Sequence, residues 1–112
     1  MNDFKPGFGL KFGLSDRTVK ELIEYFESKP EIEKVLIYGS RAKGNYKNGS
    51  DIDFAVWIDE KSGKSAYDLR IEAELDELET PYMFDVTDYN HLSHEGMKAS
   101  IDRDGKMFYE KY

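Results

Sequence analysis

A chain of 112 residues with 39% hydrophobic content holds enough apolar material for one modest core and too little length for two ordinary domains. Its formal charge of -7 argues against a nucleic-acid binder, whose affinity comes from dense Lys and Arg that release counterions. With no cysteine there can be no disulfide framework, zinc–thiolate cluster or thiol nucleophile, and no apolar stretch is long enough for a signal peptide or a membrane span, so a cytoplasmic protein is expected.

Residues 1–14 show no sustained period and read as an irregular arm whose Phe4, Phe8 and Phe12 can pack onto the body. Ser15 then offers an N-cap oxygen, and Val19, Leu22, Ile23 and Phe26 fall at i, i+3, i+4 and i+7, the stripe of a first helix that Pro30 ends. Val35 to Tyr38 is a buried-strand run closed by Gly39. Asp51 to Ile58 alternates, with Ile52, Phe54, Val56 and Ile58 on one side and Asp51, Asp53, Ala55 and Trp57 on the other: a second strand. Ser65 and Asp68 predict a capped helix lined by Tyr67, Ile71, Leu75 and Leu78, which Pro81 separates from a third strand over Tyr82 to Thr87. Asn90 to Asp104 predicts a third helix broken near Gly96 and stopped by Gly105. The sum is a single α/β domain in which a small sheet carries helices mainly on one face.

Charge is unevenly spread. Gly39 to Ser50 carries Arg41, Lys43 and Lys47 with no carboxylate, whereas Glu72 to Glu79 carries five acids. A strand ending in Gly39-Ser40 and followed by a tight turn can present backbone N–H groups and a hydroxyl to an anion, with Arg41, Lys43 or Lys47 balancing further charge. Ser50 is a weaker candidate that can equally close the loop. The spacing is not that of a Walker A loop. On a strand, Asp51 and Asp53 share a face with their Cβ atoms roughly 7 Å apart. Carboxylates at that separation can converge on two Mg²⁺ ions about 3.5–4 Å apart, the spacing of two-metal phosphoryl-transfer sites. Asp85 joins them if the second and third strands pair.

Gly39-Ser40, ten intervening residues, Asp51-Ile52-Asp53 and a later Asp85 resemble the signature of the DNA polymerase β-type nucleotidyltransferase superfamily, and most closely that of its minimal nucleotidyltransferase (MNT) members. The likeness runs from Phe12-Gly13-Leu14-Ser15 through YGSRAKGNYKNGSDIDFAV and YMFDVTDYNHL to IDRDGKMFY. It implies a polymerase β-like core, Asp51, Asp53 and Asp85 as metal ligands, and Gly39 and Ser40 at the triphosphate. The reaction it implies is attack of a hydroxyl on the α-phosphorus of a nucleoside triphosphate such as ATP, with Mg²⁺. It further implies an all-helical partner of the HEPN or substrate-binding type, the small protein acting as antitoxin by adenylylating a tyrosine of its toxin.

Larger relatives add a domain that grips the acceptor. Here the acceptor is expected to dock on an open face, with the acidic second helix or the aromatic ends (Phe4, Phe8, Phe108, Tyr109, Tyr112) as docking surface. The alternative is a binding module that holds a nucleotide and neutralises its partner by contact alone. Self-association stays open. Trp57 can stack on a base or pack, and His91 and His94 read as structural.

Overall fold

The computed structural model describes residues 4–111. Ser15 caps the first helix as expected: its Oγ accepts the Thr18 N–H at 3.2 Å, and α1 (Asp16–Glu27) follows. Val19, Leu22, Ile23 and Phe26 are buried along its inner face, which is the stripe that the 3.6-residue period marks. Ser15→Ala should lower stability by about 1 kcal/mol, seen as a Tm fall of about 4–8 °C in thermal denaturation; an unchanged Tm would remove the cap from the list of stabilising contacts.

The chain continues through β1 (Ile32–Tyr38), α2 (Gly39–Lys43), β2 (Ile52–Ile58), α3 (Ile71–Asp76), β3 (Phe84–Asp88), α4 (Glu95–Asp104) and β4 (Lys106–Glu110). The four strands form one mixed sheet in the order β3-β2-β1-β4, β1 lying antiparallel to β2 and β4 and β2 parallel to β3. Ile52, Phe54, Val56 and Ile58 are at most 1% exposed, and residues of α1, α3, the N-terminal turn and the neighbouring strands complete that core. Aromatic rings knit it: Phe26 meets Phe54 edge-on at 5.3 Å, and Phe54 lies 5.1 Å from Phe108. Helix α4 crosses the other face of the sheet, where its Met97 touches Thr87 and its stop, Gly105, sits against Leu36.

The structure departs from the sequence expectation at several elements. The turn expected after Gly39 is the short helix α2, and the third helix starts only at Glu95, after a separate turn at Tyr89–His91, and runs through Gly96 unbroken. The second helix does not run from Ser65. Ser65 and Asp68 do cap each other reciprocally, at 2.9 and 3.0 Å, but Arg70 adopts a left-handed φ of 56°, which breaks the chain before α3 and leaves Tyr67 90% exposed. The third strand starts two residues late, at Phe84, with the Ile52 N–H bonding to the Met83 carbonyl just ahead of it. Strand β4 is missing from the expected elements altogether. Its pairing with β1 shifts register between Val35 and Leu36, so the successive residues Phe108 and Tyr109 are both buried and no period of two shows in the sequence. Phe108 and Tyr109 are therefore core residues and not the expected docking surface, while Phe4 and Phe8 pack partly buried against that core. Tyr112, expected with them, lies outside the described residues.

Candidate active site

Strand β2 carries Asp53 into place. Asp53 pairs with Tyr38 of β1 on one side and with Asp85 of β3 on the other, so two carboxylates stand side by side on neighbouring strands about 4.8 Å apart. The pairing of the second and third strands on which Asp85 depends is thus present, and the structure shows it to be parallel. Asp51 precedes β2 and is exposed at the mouth of the pair. Gly39 closes the arrangement from above: its φ is 73°, and a Cβ there would collide with Oδ2 of Asp53. Only glycine allows the backbone this conformation and this approach together.

From Gly39 the chain turns into α2, whose leading N–H groups have no carbonyl of the same helix to meet and face the start of the turn. Ser40 is half-buried in that first turn, and its carbonyl accepts the N–H groups of Gly44 and Asn45, closing the helix. Lys43 and Lys47 are exposed, and Lys43 is close enough to Asp104 to help hold that carboxyl below its usual range, behind the Arg103 hydrogen bond that dominates. Ser50 takes the loop-closing role: its Oγ accepts the Lys47 N–H at 2.9 Å. Arg41 departs from the expected phosphate contact. It is 2% exposed, and its guanidinium is engaged by the backbone carbonyls of Phe12 and Ser50, because the planar fork matches two carbonyl directions at once.

Burial, reinforced by the Asp85 carboxylate, a hydrogen bond shared with it and the Asp51 charge, pushes Asp53 from its ordinary 3.8 up to about 6, against an opposing pull from Arg41. Among the described residues no three His, Cys, Asp or Glu side chains form a ready-made metal cage, so the three-acid convergence expected from the sequence is present as a close pair with Asp51 outside it. The pair nonetheless fits a divalent cation. Two carboxylates that repel each other in a half-buried place are stabilised by a cation between them, which reverses the sign of their interaction.

Tyr38 escaped the sequence reading. Its hydroxyl meets the Thr87 hydroxyl at 2.9 Å across β2, a reach left open because the intervening residue of β2 on that face is the small Ala55. Burial raises the phenol above its usual range, the Thr87 bond opposes this, and the charges of Asp53 and Asp85 add to it. The signal available was position: Tyr38 is the last strand residue before Gly39 and so must flank the acids. Trp57 stacks on Tyr89 at 4.2 Å and carries Lys34 on its ring, so it packs. His94 caps α4 through Nδ1, and His91 pairs with Asp88 at 2.9 Å. Of the acidic stretch, Glu72 accepts the Val86 N–H of edge strand β3, and Glu74 binds Tyr25 and Lys29.

A family model described as Polymerase beta, Nucleotidyltransferase matches residues 20–112. Protein adenylyltransferase MntA of Aphanizomenon flos-aquae (strain 2012/KM1/D3) is 30% identical over 95 residues, covering 73% of this chain, and the chain spans 59% of that protein's length. A nucleotidyltransferase structure from Sulfolobus solfataricus is 27% identical with a TM-score of 0.56 and covers 99% of this chain and 93% of its own. A chain from the complex of tri-AMPylated Shewanella oneidensis HEPN toxin with MNT antitoxin has a TM-score of 0.54 at 17% identity, over 84% of this chain and 71% of its own, which speaks to the fold alone. No helix among the described residues is long and apolar enough to cross a membrane. The matched span includes the Gly39-Ser40 turn and all three aspartates, and the chain belongs to the polymerase beta nucleotidyltransferase family.

Proposed function

We propose that the chain transfers AMP from ATP to a hydroxyl, a tyrosine of a helical HEPN-type partner, as the antitoxin half of a two-gene module in the cytoplasm. The observation that carries this is the registered pairing of Asp53 with Asp85 directly beneath the Gly39 backbone. The reading of AMP as the transferred group draws on the relative that is 30% identical, a protein adenylyltransferase, and the acceptor follows the AMPylated toxin that accompanies a protein of the same fold. Asp53 and Asp85, with Asp51 beside them, would hold Mg²⁺, which supplies charge neutralisation and polarises the α-phosphoryl group. The N–H groups and hydroxyl at Gly39-Ser40 orient the triphosphate, and Lys43 lies within the same turn to balance its outer charge. Asp85, exposed at the sheet edge, takes the proton of the incoming hydroxyl. The oxygen of that hydroxyl bonds to the α-phosphorus as the bond to the β-phosphate bridge breaks and pyrophosphate leaves.

Incubation with labelled ATP, Mg²⁺ and the neighbouring gene product should label the partner on tyrosine, and EDTA should prevent it; an unlabelled partner under Mg²⁺ overturns the proposal. The second reading, neutralisation by contact with nucleotide as a structural ligand, draws on the incomplete acid cage. It requires that a chain unable to transfer still silences its partner. Full silencing by Asp53→Asn favours contact, and loss of silencing favours catalysis.

A further inference from the structure

Arg41 carries a charge that the fold has placed at great expense in solvation. It is 2% exposed, and among the described residues it forms no direct ion pair, although its charge reaches Asp53 and pulls that carboxyl down. Its Nε and Nη2 both donate to the Ser50 carbonyl, at 3.1 and 2.8 Å, and Nη1 donates to the Phe12 carbonyl at 2.8 Å. The guanidinium also lies between two aromatic rings, 5.0 Å from the Tyr46 centroid and 4.9 Å from that of Tyr82. Tyr82 in turn donates to the Gly13 carbonyl at 3.4 Å. Gly13 has a φ of 76°, and a Cβ there would come within 2.6 Å of the Tyr46 ring and 2.9 Å of Nη1, so the nest is built tightly around the cation.

Three of the four segments gathered there bear the candidate site. Arg41 is two residues beyond Gly39, Ser50 precedes Asp51, and Tyr82 is three residues before Asp85. Phe12 and Gly13 belong to the N-terminal turn that backs them. A buried cation whose only hydrogen bonds go to backbone carbonyls costs solvation energy that simple packing would avoid, since an apolar residue could fill the same volume. What the guanidinium adds is geometry: a rigid planar fork fixes two carbonyls at set directions, which neither a lysine nor a hydrophobic side chain can do.

We propose that Arg41 is the positioning residue of this site, a clamp that fixes the Gly39-Ser40 turn relative to Asp51, Asp53 and Asp85 without touching the nucleotide. The proposal rests on the nucleotidyltransferase reading for its effect on rate, and on the geometry alone for its effect on the loop. Displacing a reacting group by about 1 Å lowers rate by about 100-fold while leaving ground-state binding largely intact.

Three measurements on the full chain test it: single-turnover AMP transfer to the partner, MgATP affinity by calorimetry, and hydrogen exchange over residues 44–51. Arg41→Lys keeps a charge and loses the fork. It should remain folded, lose transfer by about 100-fold, change its MgATP Kd by less than about threefold, and exchange faster at 44–51. In Arg41→Ala, millimolar guanidinium should restore both transfer and protection, and methylammonium should restore neither. A Kd that weakens in step with the rate would make Arg41 a phosphate ligand and overturn the proposal, as would wild-type rate and exchange in Arg41→Lys. If Arg41→Ala fails to fold, Arg41→Lys decides alone. If the wild type transfers no label, the functional reading fails, and exchange at 44–51 still judges the clamp.

Discussion

Asp53→Asn should abolish the proposed nucleotidyl transfer and yet give a domain more stable than the wild type at pH 7.5. The first half follows from the pair: with one carboxylate made neutral, the remaining acid cannot hold a divalent cation against water, and a loss of about 4 kcal/mol of charge stabilisation corresponds to about 1,000-fold in rate. The second half follows from the elevated Asp53 value. Burial first, and then the Asp85 and Asp51 charges, raise it from 3.8 to about 6 in the folded state. A carboxyl raised in this way favours the fold while protonated, so its contribution is complete below pH 4 and is lost as pH climbs through about 6. At neutral pH the ionised wild type carries that penalty, and asparagine does not.

Because the site is only half-buried, solvent screening cuts the penalty to about 1 kcal/mol, or about 4 °C in Tm. Thermal scans should therefore coincide for the two proteins near pH 4 and separate above pH 6, the variant melting higher. Mg²⁺ should raise the Tm of the wild type at pH 7.5 and leave Asp53→Asn unchanged. Parallel scans at every pH, or an equal response to Mg²⁺, would refute the electrostatic account of the pair.

Gly39→Ala should also damage transfer, though less, and, unlike the aspartate substitution, should destabilise. Its φ of 73° costs an L-residue about 1–2 kcal/mol, and the new methyl also meets Oδ2 of Asp53. The collision is relieved by turning the Asp53 carboxyl or by lifting α2 away from the acids, and either movement changes the placement of the phosphate-facing turn relative to Asp53. Expected is a stability loss of about 2 kcal/mol with transfer down by about 100-fold. Chemical denaturation of a double-mutant cycle with Asp53→Ala locates the cause. Shortening Asp53 removes the collision and leaves the strain, so the two changes should be less than additive. Strict additivity would assign the whole effect to backbone strain.

Much of the candidate site could be read along the chain. The strand ending at Tyr38, the Gly39-Ser40 turn, and the alternation that puts Asp53 opposite Phe54 and Val56 are local facts, fixed by backbone periods and by the freedom of glycine. Helix α1 was legible for the same reason, since a cap and a stripe lie within a dozen residues of each other. What pairing decides was not legible. The parallel register that sets Asp85 beside Asp53, the bulge that hides β4, and the left-handed Arg70 that cuts the second helix short all depend on segments distant in sequence.

Arg41 shows the division most plainly. A basic residue two places after a Gly-rich turn has the same local signature whether it points to phosphate or to a carbonyl of the N-terminal turn. The partners that settle its direction, Phe12, Ser50 and Tyr82, are brought together only by tertiary packing. Sequence determined which chemical groups this protein has and on which face of each strand they lie, because side-chain direction follows from local backbone geometry. Tertiary structure alone decided which of them meet, because that depends on contacts between residues far apart along the chain.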